Sequence, residues 1–278
     1  MQGYRTPLFG NLPPVIKNLL IANIVVFLID VLVSRSGVVN LNNWLALHNF
    51  QSEYFSPIQL VTYMFMHGNV THIFFNMFAL VMFGRVLEQV WGGKRFMVYF
   101  LVTGVGAALC QNIVGYLTLS GLHDQVVAFI NTPDPELFTR LIRSHIDHPS
   151  EWVNQLIVDY TASPDNPYLI NHAVQTASKL FAEMANVPTV GASGAVFGVL
   201  LAFGMMFPNV QLMLIFPPIP IKAKWFVLGY GLIEMFAIIV PSANDNVAHF
   251  AHLGGMLFGF LLMKYWNKRI DTNRDIYF

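Results

Sequence analysis

Long runs of apolar residues, separated by short polar segments, dominate the pattern along the chain. Pro13 and Pro14 precede the first run and no small-x-small cleavage site follows it, so this run is not a removable signal peptide. Several runs approach the roughly 20 residues that an α-helix needs to cross the hydrocarbon layer of a membrane. The pattern therefore predicts six transmembrane helices, at about 15–33, 70–90, 96–119, 190–206, 225–240 and 247–266.

One long polar stretch, at 120–188, falls between the third and fourth predicted helices. Its periodicity and prolines predict short amphipathic helices at 136–146, 151–160 and 173–185. The stretch is interpreted as a helical extramembrane insertion; a separate binding module is the alternative that the pattern leaves open. The expected fold class is an all-α membrane protein, divided into an N-terminal segment (1–14), helices one to three (15–119), the insertion (120–188), helices four to six (189–266) and a tail (267–278).

The composition agrees with a polytopic membrane protein. Charged residues make up 11% of the 278-residue chain, against roughly 25% in soluble domains, and hydrophobic residues make up 55%. The 15 basic and 15 acidic residues leave no basic excess, so an electrostatic nucleic-acid binder is excluded. Because Cys110 is the single cysteine, the chain can form neither an intramolecular disulfide nor a cysteine-built metal cluster. The lipid bilayer is the partner that this composition predicts.

The distribution of basic residues orients the predicted helices. Lys264 and Lys268 lie around the end of the sixth helix, and Arg85 and Lys94 lie around the connection between the second and third helices. Residues 36–69 contain no lysine or arginine. The excess of basic residues on the cytoplasmic side of membrane proteins then predicts that both termini are cytoplasmic. Helices two, four and six therefore all begin at the outer face.

Polar residues cluster at the start of these same three helices, in 67–76, 191–198 and 249–259. Ionisable and amide groups inside a membrane are costly, so each one suggests a function. Since the three segments begin helices that run in the same direction from the same face, we expect them to share one polar cavity slightly below the outer surface.

Ser193 is the candidate nucleophile in this cavity. Gly191 and Gly194 leave it little shielded, but a serine hydroxyl needs a neighbouring general base. Histidine can accept and return a proton near neutral pH, so His252 or His249 could be that base.

The intervals between glycines, histidines and asparagine along the predicted helices suggest that two helices pack closely and that an oxyanion can be bound. Gly255 and Gly259 form a small-xxx-small strip with His252, which predicts close packing of helix six on helix four. His72 and Asn76, at i and i+4, share a helix face and can donate to an oxyanion together with the backbone N–H of Ser193. Asp245, the carboxylate nearest to His252 in sequence, falls in a loop, so we expect a Ser-His dyad.

Three other interpretations have to be considered. A Gly-x-Ser-Gly string also occurs as a helix-packing motif. His67, His72, His249 and His252 could be metal ligands, but the chain has no HExxH motif and lacks nearby the Glu or Asp that commonly completes such a site, so we expect no metal and no cofactor. Polar residues inside membrane helices would also suit a transporter, although the sequence shows no inverted repeats.

Three motifs together resemble the rhomboid family of intramembrane serine proteases. Residues 191–194 (GASG) match its GxSG motif, residues 251–259 (AHLGGMLFG) its AHxxGxxxG motif and residues 72–76 (HIFFN) its HxxxN motif. Each motif is weak alone, but their order on alternate helices is highly specific, and the resemblance covers the chain except 120–188. It implies a six-helix bundle with a cavity open to the exterior.

The resemblance also implies roles for individual residues. Ser193 would be the nucleophile, and His252 rather than His249 the base, because Gly255 and Gly259 stand at the offsets that the motif requires. His72 and Asn76 would stabilise the oxyanion. Phe197 matches an aromatic position, often tyrosine in the family, that packs against the catalytic imidazole.

The implied function is an endopeptidase that cleaves transmembrane segments of membrane-protein substrates near the outer face. The expected location is a bacterial inner (plasma) membrane. A catalytically inactive, rhomboid-like binder of transmembrane helices is the alternative. The natural substrate and the oligomeric state do not follow from the sequence.

Overall fold

The protein is largely helical in the computed structural model, which describes residues 12–37, 39–214, 218–240 and 247–274. Three helical stretches in these residues are long and apolar enough to cross a membrane: Pro14–Arg35, Val70–Trp91 and Gly93–Asn131. A shorter apolar helix covers Ser193–Met206. The prediction of an all-α integral membrane protein is confirmed, whereas the number of six membrane crossings stays a prediction.

The helices of the described residues are numbered here in chain order. They are α1 (Pro14–Ser36), α2 (Asn42–Leu45), α3 (Gln59–Thr62), α4 (Val70–Ala79), α5 (Arg85–Trp91), α6 (Gly93–Asn131), α7 (Pro135–His145), α8 (Glu151–Ala162), α9 (Pro167–Ala185), α10 (Ser193–Met206), α11 (Ala223–Ile239) and α12 (His249–Arg274). A 3₁₀ turn (Tyr63–Phe65) follows α3, and a π-helical segment (Leu80–Gly84) joins α4 to α5. Two short strands, β1 (Gln211–Met213) and β2 (Pro220–Lys222), pair antiparallel.

The helix α6 is longer than the apolar run that predicts it. The run ends near residue 119, but the helix continues to Asn131. Leu122, Val126 and Phe129 are buried and recur at helical spacing, so the later part of α6 has a continuous apolar face despite its more polar composition. The helix ends shortly before Pro133, which cannot continue an α-helix. The predicted helix ends near residue 119 because the mean hydropathy falls there, although the apolar residues continue at helical spacing.

The helix α10 begins three residues later than the predicted span. The run of apolar residues starts near 190, but Gly191 has φ +119°, a backbone angle that no right-handed helix contains. The helix therefore starts at Ser193, and residues 190–192 lie before it as irregular chain. Ser193 is therefore the first residue of α10, and no preceding helical turn encloses its side chain.

Two compact units can be distinguished. One comprises residues 48–55 and 112–187 and contains α7, α8 and α9, which form where the sequence predicts three short helices. Its apolar core includes the fully buried rings of Phe138 and Tyr160. The other comprises residues 1–47, 56–111 and 188–278, and it holds the polar segments of the predicted cavity.

The beginning of α1 is capped by a carboxylate from α5. Glu88 is buried, and its two oxygens accept the backbone N–H groups of Val15 at 2.9 Å and Ile16 at 2.8 Å. The first N–H groups of a helix have no partner within the helix, so Glu88 supplies acceptors that the chain before Val15 does not. Glu88 therefore has a structural role at the start of α1.

Glycine contacts bring α10 and α12 together. A Cβ atom on Gly255 would overlap the backbone oxygen of Gly194, and one on Gly198 would lie 3.0 Å from the backbone oxygen of Gly255. The backbones of the two helices therefore touch directly. Gly259 was expected to face α10 but does not. A Cβ atom there would overlap the hydroxyl of Tyr99 on α6. One further turn along α12 rotates the glycine strip away from α10 and towards α6.

Candidate active site

Ser193 and His252 meet where the first turns of α10 and α12 pack together. Ser193 is the first residue of α10, and His252 is the fourth residue of α12. The distance from Oγ of Ser193 to Nε2 of His252 is 2.8 Å, which is a hydrogen-bonding distance. His252 is 8% exposed. A serine hydroxyl held by an imidazole nitrogen in this way can transfer its proton as it attacks a carbonyl.

The ring of Phe197 stacks on the imidazole of His252 and fixes the orientation of the imidazole plane. The two rings stack with 4.1 Å between centroids and an angle of 7° between planes. Phe197 lies one turn after Ser193 on α10, so a single helix carries both the hydroxyl and the surface on which the base rests. Rotation of the imidazole out of the plane would collide with Phe197, and Nε2 therefore remains directed towards Ser193.

The side chains of His72 and Asn76 approach the chain just before Ser193. The two residues lie on one face of α4, whose first turn is capped by Asn69: the side chain of Asn69 accepts the N–H of His72 at 2.8 Å. A Cβ atom on Gly191 would lie 2.6 Å from Nε2 of His72 and 3.7 Å from Nδ2 of Asn76. The side chains of His72 and Asn76 therefore lie beside Gly191, two residues before Ser193.

A second histidine, His67, lies beside His72 in the loop before α4. It is buried, and the ring centroids of the two residues are 5.1 Å apart in an edge-to-face arrangement. Burial above all, with the nearby His72 adding to it, lowers the pKa of His67 to about 4. His67 is therefore neutral at pH 7 and adds no charge next to the candidate oxyanion donors.

The structure also places a carboxylate at this site, which the sequence analysis does not anticipate. Glu234 on α11 is buried, and its Oε2 lies 3.0 Å from Nδ1 of His252 and 2.5 Å from Nδ1 of His249. The expected two-residue arrangement therefore has a third group within reach. Asp245, the carboxylate that the sequence brings nearest to His252, lies outside the described residues. The signal in the sequence was an acidic residue inside an apolar run, but nothing there indicates which side chain it meets.

The donor atoms of Glu234, His249 and His252 all lie within 4.8 Å of one another, so these three form a group, within the described part of the chain, that could hold a metal ion. Nitrogen and oxygen ligands of one tetrahedral zinc ion lie about 3.3 Å apart, given bonds of about 2 Å. The 2.5 Å between Nδ1 of His249 and Oε2 of Glu234 is instead the separation of a hydrogen bond. The short contact between His249 and Glu234 is therefore a hydrogen bond between the two side chains.

A comparison with protein families gives one match over most of the chain. A family model described as the Rhomboid domain matches residues 54–130 and 167–269. The matched ranges include Ser193, His252, His72, Asn76 and Glu234.

Curated proteins give further similarities. Rhomboid-like protein 11, chloroplastic, from Arabidopsis thaliana is 33% identical over 101 residues, which are 36% of this chain and 32% of that protein. RHOMBOID-like protein 12, mitochondrial, also from Arabidopsis thaliana, is 24% identical over 87% of this chain and 55% of that protein. Rhomboid protease AarA from Providencia stuartii is 22% identical over 72% of this chain and 52% of that protein. The chain thus spans about half or less of the length of these relatives.

Proposed function

Because the chain belongs to the rhomboid family, we propose that it is an intramembrane serine endopeptidase that cleaves transmembrane segments of other membrane proteins near the outer face. The observation that carries this proposal is the 2.8 Å contact between Oγ of Ser193 and Nε2 of His252. The similarity to a bacterial rhomboid protease supports the same reaction class.

The proposed reaction is acyl transfer in two steps. Oγ of Ser193 attacks the scissile carbonyl, its proton passes to Nε2 of His252, and the imidazolium then protonates the leaving amine. Water hydrolyses the resulting ester, with His252 again accepting and returning the proton. Phe197 keeps the imidazole in one plane through both steps, so the same nitrogen serves as base and as acid.

The negative charge that develops on the carbonyl oxygen would be stabilised by N–H donors from two helices. Nε2 of His72, Nδ2 of Asn76 and the backbone N–H of Ser193 come from α4 and α10. Gly191 keeps the space beside Nε2 of His72 open, since a side chain at this position would overlap the imidazole. Donors fixed in advance where charge develops are a large contribution to catalysis.

The substrate has to lose its helical structure at the cleavage site. Amides within a transmembrane helix are hydrogen-bonded and shielded, and the carbonyl reaches Ser193 only after local unwinding. Residues at the cleavage site that are small and destabilise a helix would therefore be preferred, as the family resemblance implies. Water must also reach the site, because deacylation consumes it.

The proposed location is a bacterial inner (plasma) membrane, with both termini cytoplasmic and residues 120–188 outside the membrane. The excess of basic residues near the predicted cytoplasmic ends supports this orientation. It places the Ser193 end of α10 near the outer face.

A fluorophosphonate probe, which reacts with activated serines, tests the proposal directly. We expect the detergent-solubilised or reconstituted wild-type protein to be labelled and to cleave a transmembrane substrate, and Ser193→Ala to do neither. Ser163→Ala, at an exposed serine in the loop after α8, is the matched control and should retain both activities. Labelling that persists in Ser193→Ala would refute the nucleophile assignment. Wild-type protein that is neither labelled nor active on several substrates, yet binds transmembrane helices, would favour the inactive binder.

Removing either oxyanion donor should slow catalysis without preventing folding. We expect His72→Ala and Asn76→Ala each to lower kcat by about 100- to 1,000-fold, the usual effect of deleting one such donor. Cleavage of a model substrate gives kcat, and thermal unfolding shows whether each variant is folded. Phe74→Ala, at an exposed position of the same helix, serves as the control. Wild-type kcat in both variants would show that the oxyanion is bound elsewhere.

A further inference from the structure

Glu234 is an acidic residue in an apolar helix, and its side chain is only 9% exposed. A carboxylate in such a setting is costly unless it accepts hydrogen bonds from donors at close range. The groups facing it from α12 are the imidazoles of His249 and His252, and it is these that offset the cost of burial.

Both imidazoles approach the same oxygen atom. Oε2 of Glu234 forms a hydrogen bond with Nδ1 of His249 and lies 3.0 Å from Nδ1 of His252. The second contact has the distance of a hydrogen bond but not its direction, and no other acceptor meets Nδ1 of His252 among the described residues. The buried Nδ1 of His252 thus has one carboxylate within reach, shared with a second histidine.

We propose that Glu234 is a positioning residue: its carboxylate holds the Nδ1–H of His252 and so keeps Nε2 unprotonated and directed at Ser193. This inference rests on the proposed function. Only the Nδ1–H tautomer of the neutral ring can donate to a carboxylate and accept from a hydroxyl at once. When Nε2 takes the serine proton, the ring becomes an imidazolium, and its attraction to Glu234 increases as the transition state forms.

The poor alignment of Glu234 with Nδ1 of His252 in the site without substrate is compatible with this role. Hydrogen bonds of catalytic groups are often long or poorly aligned before the substrate binds and shorten in the reacting complex. A small rotation of the Glu234 carboxylate would align it with His252 because Oε2 is already at bonding distance. His249 anchors the carboxylate meanwhile, so that the charge of Glu234 has a partner throughout the cycle.

The decisive experiment compares Glu234→Gln, Glu234→Asp and His249→Ala in a cleavage assay with full kinetics. Gln keeps the shape of the side chain and loses its charge, and we expect Glu234→Gln to lower kcat by roughly 100-fold, since it disturbs the tautomer and orientation of the base. The KM should change by less than about twofold, because substrate binding does not use this group. Glu234→Asp should recover part of the lost kcat. His249→Ala should lose less than Glu234→Gln, since the carboxylate remains.

Two controls separate this inference from its premise. Ile233→Ala, at an exposed position next to Glu234, should leave kcat unchanged, and thermal unfolding should show every variant folded. Active wild-type protein with undiminished kcat in folded Glu234→Gln would overturn the inference and leave the proposed function intact. Equal losses in Glu234→Gln, Glu234→Asp and His249→Ala would also overturn it, because packing of the cluster alone would then explain them. Wild-type protein without activity or probe labelling would instead refute the proposed function.

Discussion

Replacing His252 by alanine should lower kcat by roughly a million-fold, whereas His249→Ala should leave readily measurable cleavage. His252 contacts Oγ of Ser193 through Nε2, and removal of the base from a serine–histidine unit costs about as much as removal of the nucleophile. His249 instead bonds to Glu234. Initial rates on a transmembrane substrate, with equal amounts of folded protein, measure the difference.

The pair of variants is informative because the two histidines lie one turn apart on α12. Either could be the base on chemical grounds, and geometry distinguishes them. Wild-type-like cleavage by His252→Ala, with complete loss in His249→Ala, would mean that the base has been assigned to the wrong histidine. Probe labelling should follow the same order, since the serine of His252→Ala is no longer activated.

Gly255→Ala should separate α10 from α12 at the active site. Its Cβ would overlap the backbone oxygen of Gly194, and backbone atoms cannot turn aside as a side chain can. The helices α10 and α12 must then move apart, which lengthens the contact between Ser193 and His252. A misplacement of about 1 Å can cost about 100-fold in rate, so we expect at least that loss in kcat, together with a lower Tm.

Gly229→Ala on α11 is the matched control for this substitution. No atom lies within 4 Å of the position where its Cβ would be, so the same chemical change meets open space. Its kcat and Tm should resemble those of the wild-type protein. Wild-type kcat and Tm in Gly255→Ala would show that direct backbone contact between the two helices does not set the geometry of the site.

The sequence alone predicts the parts of the site that depend on spacing within one helix. His72 and Asn76 are separated by one turn, so their shared face follows from helix geometry. Ser193 and His252 lie in motifs at the start of helices that run in the same direction, which predicts a common depth. These predictions need no knowledge of how the helices rotate against one another.

Contacts that depend on the rotation of one helix against another could not be derived in this way. Glu234 is 18 residues before His252 in sequence, and whether it faces His252 depends on how α11 packs on α12. The same limit explains Gly259, which was expected to face α10 and instead accommodates Tyr99 on α6. The bounds of α6 and α10 also differed, because apolar runs show neither amphipathic extensions nor a positive φ.

The cap that Glu88 forms on α1 bears on the order in which the chain assembles. Val15 and Ile16 are synthesised more than 70 residues before the carboxylate that accepts their N–H groups. Amides without a protein acceptor need water, since lipid offers none. During synthesis these two amides therefore have water as their partner until α5 has emerged, and the contact that fixes the beginning of α1 can form only after α5 is made.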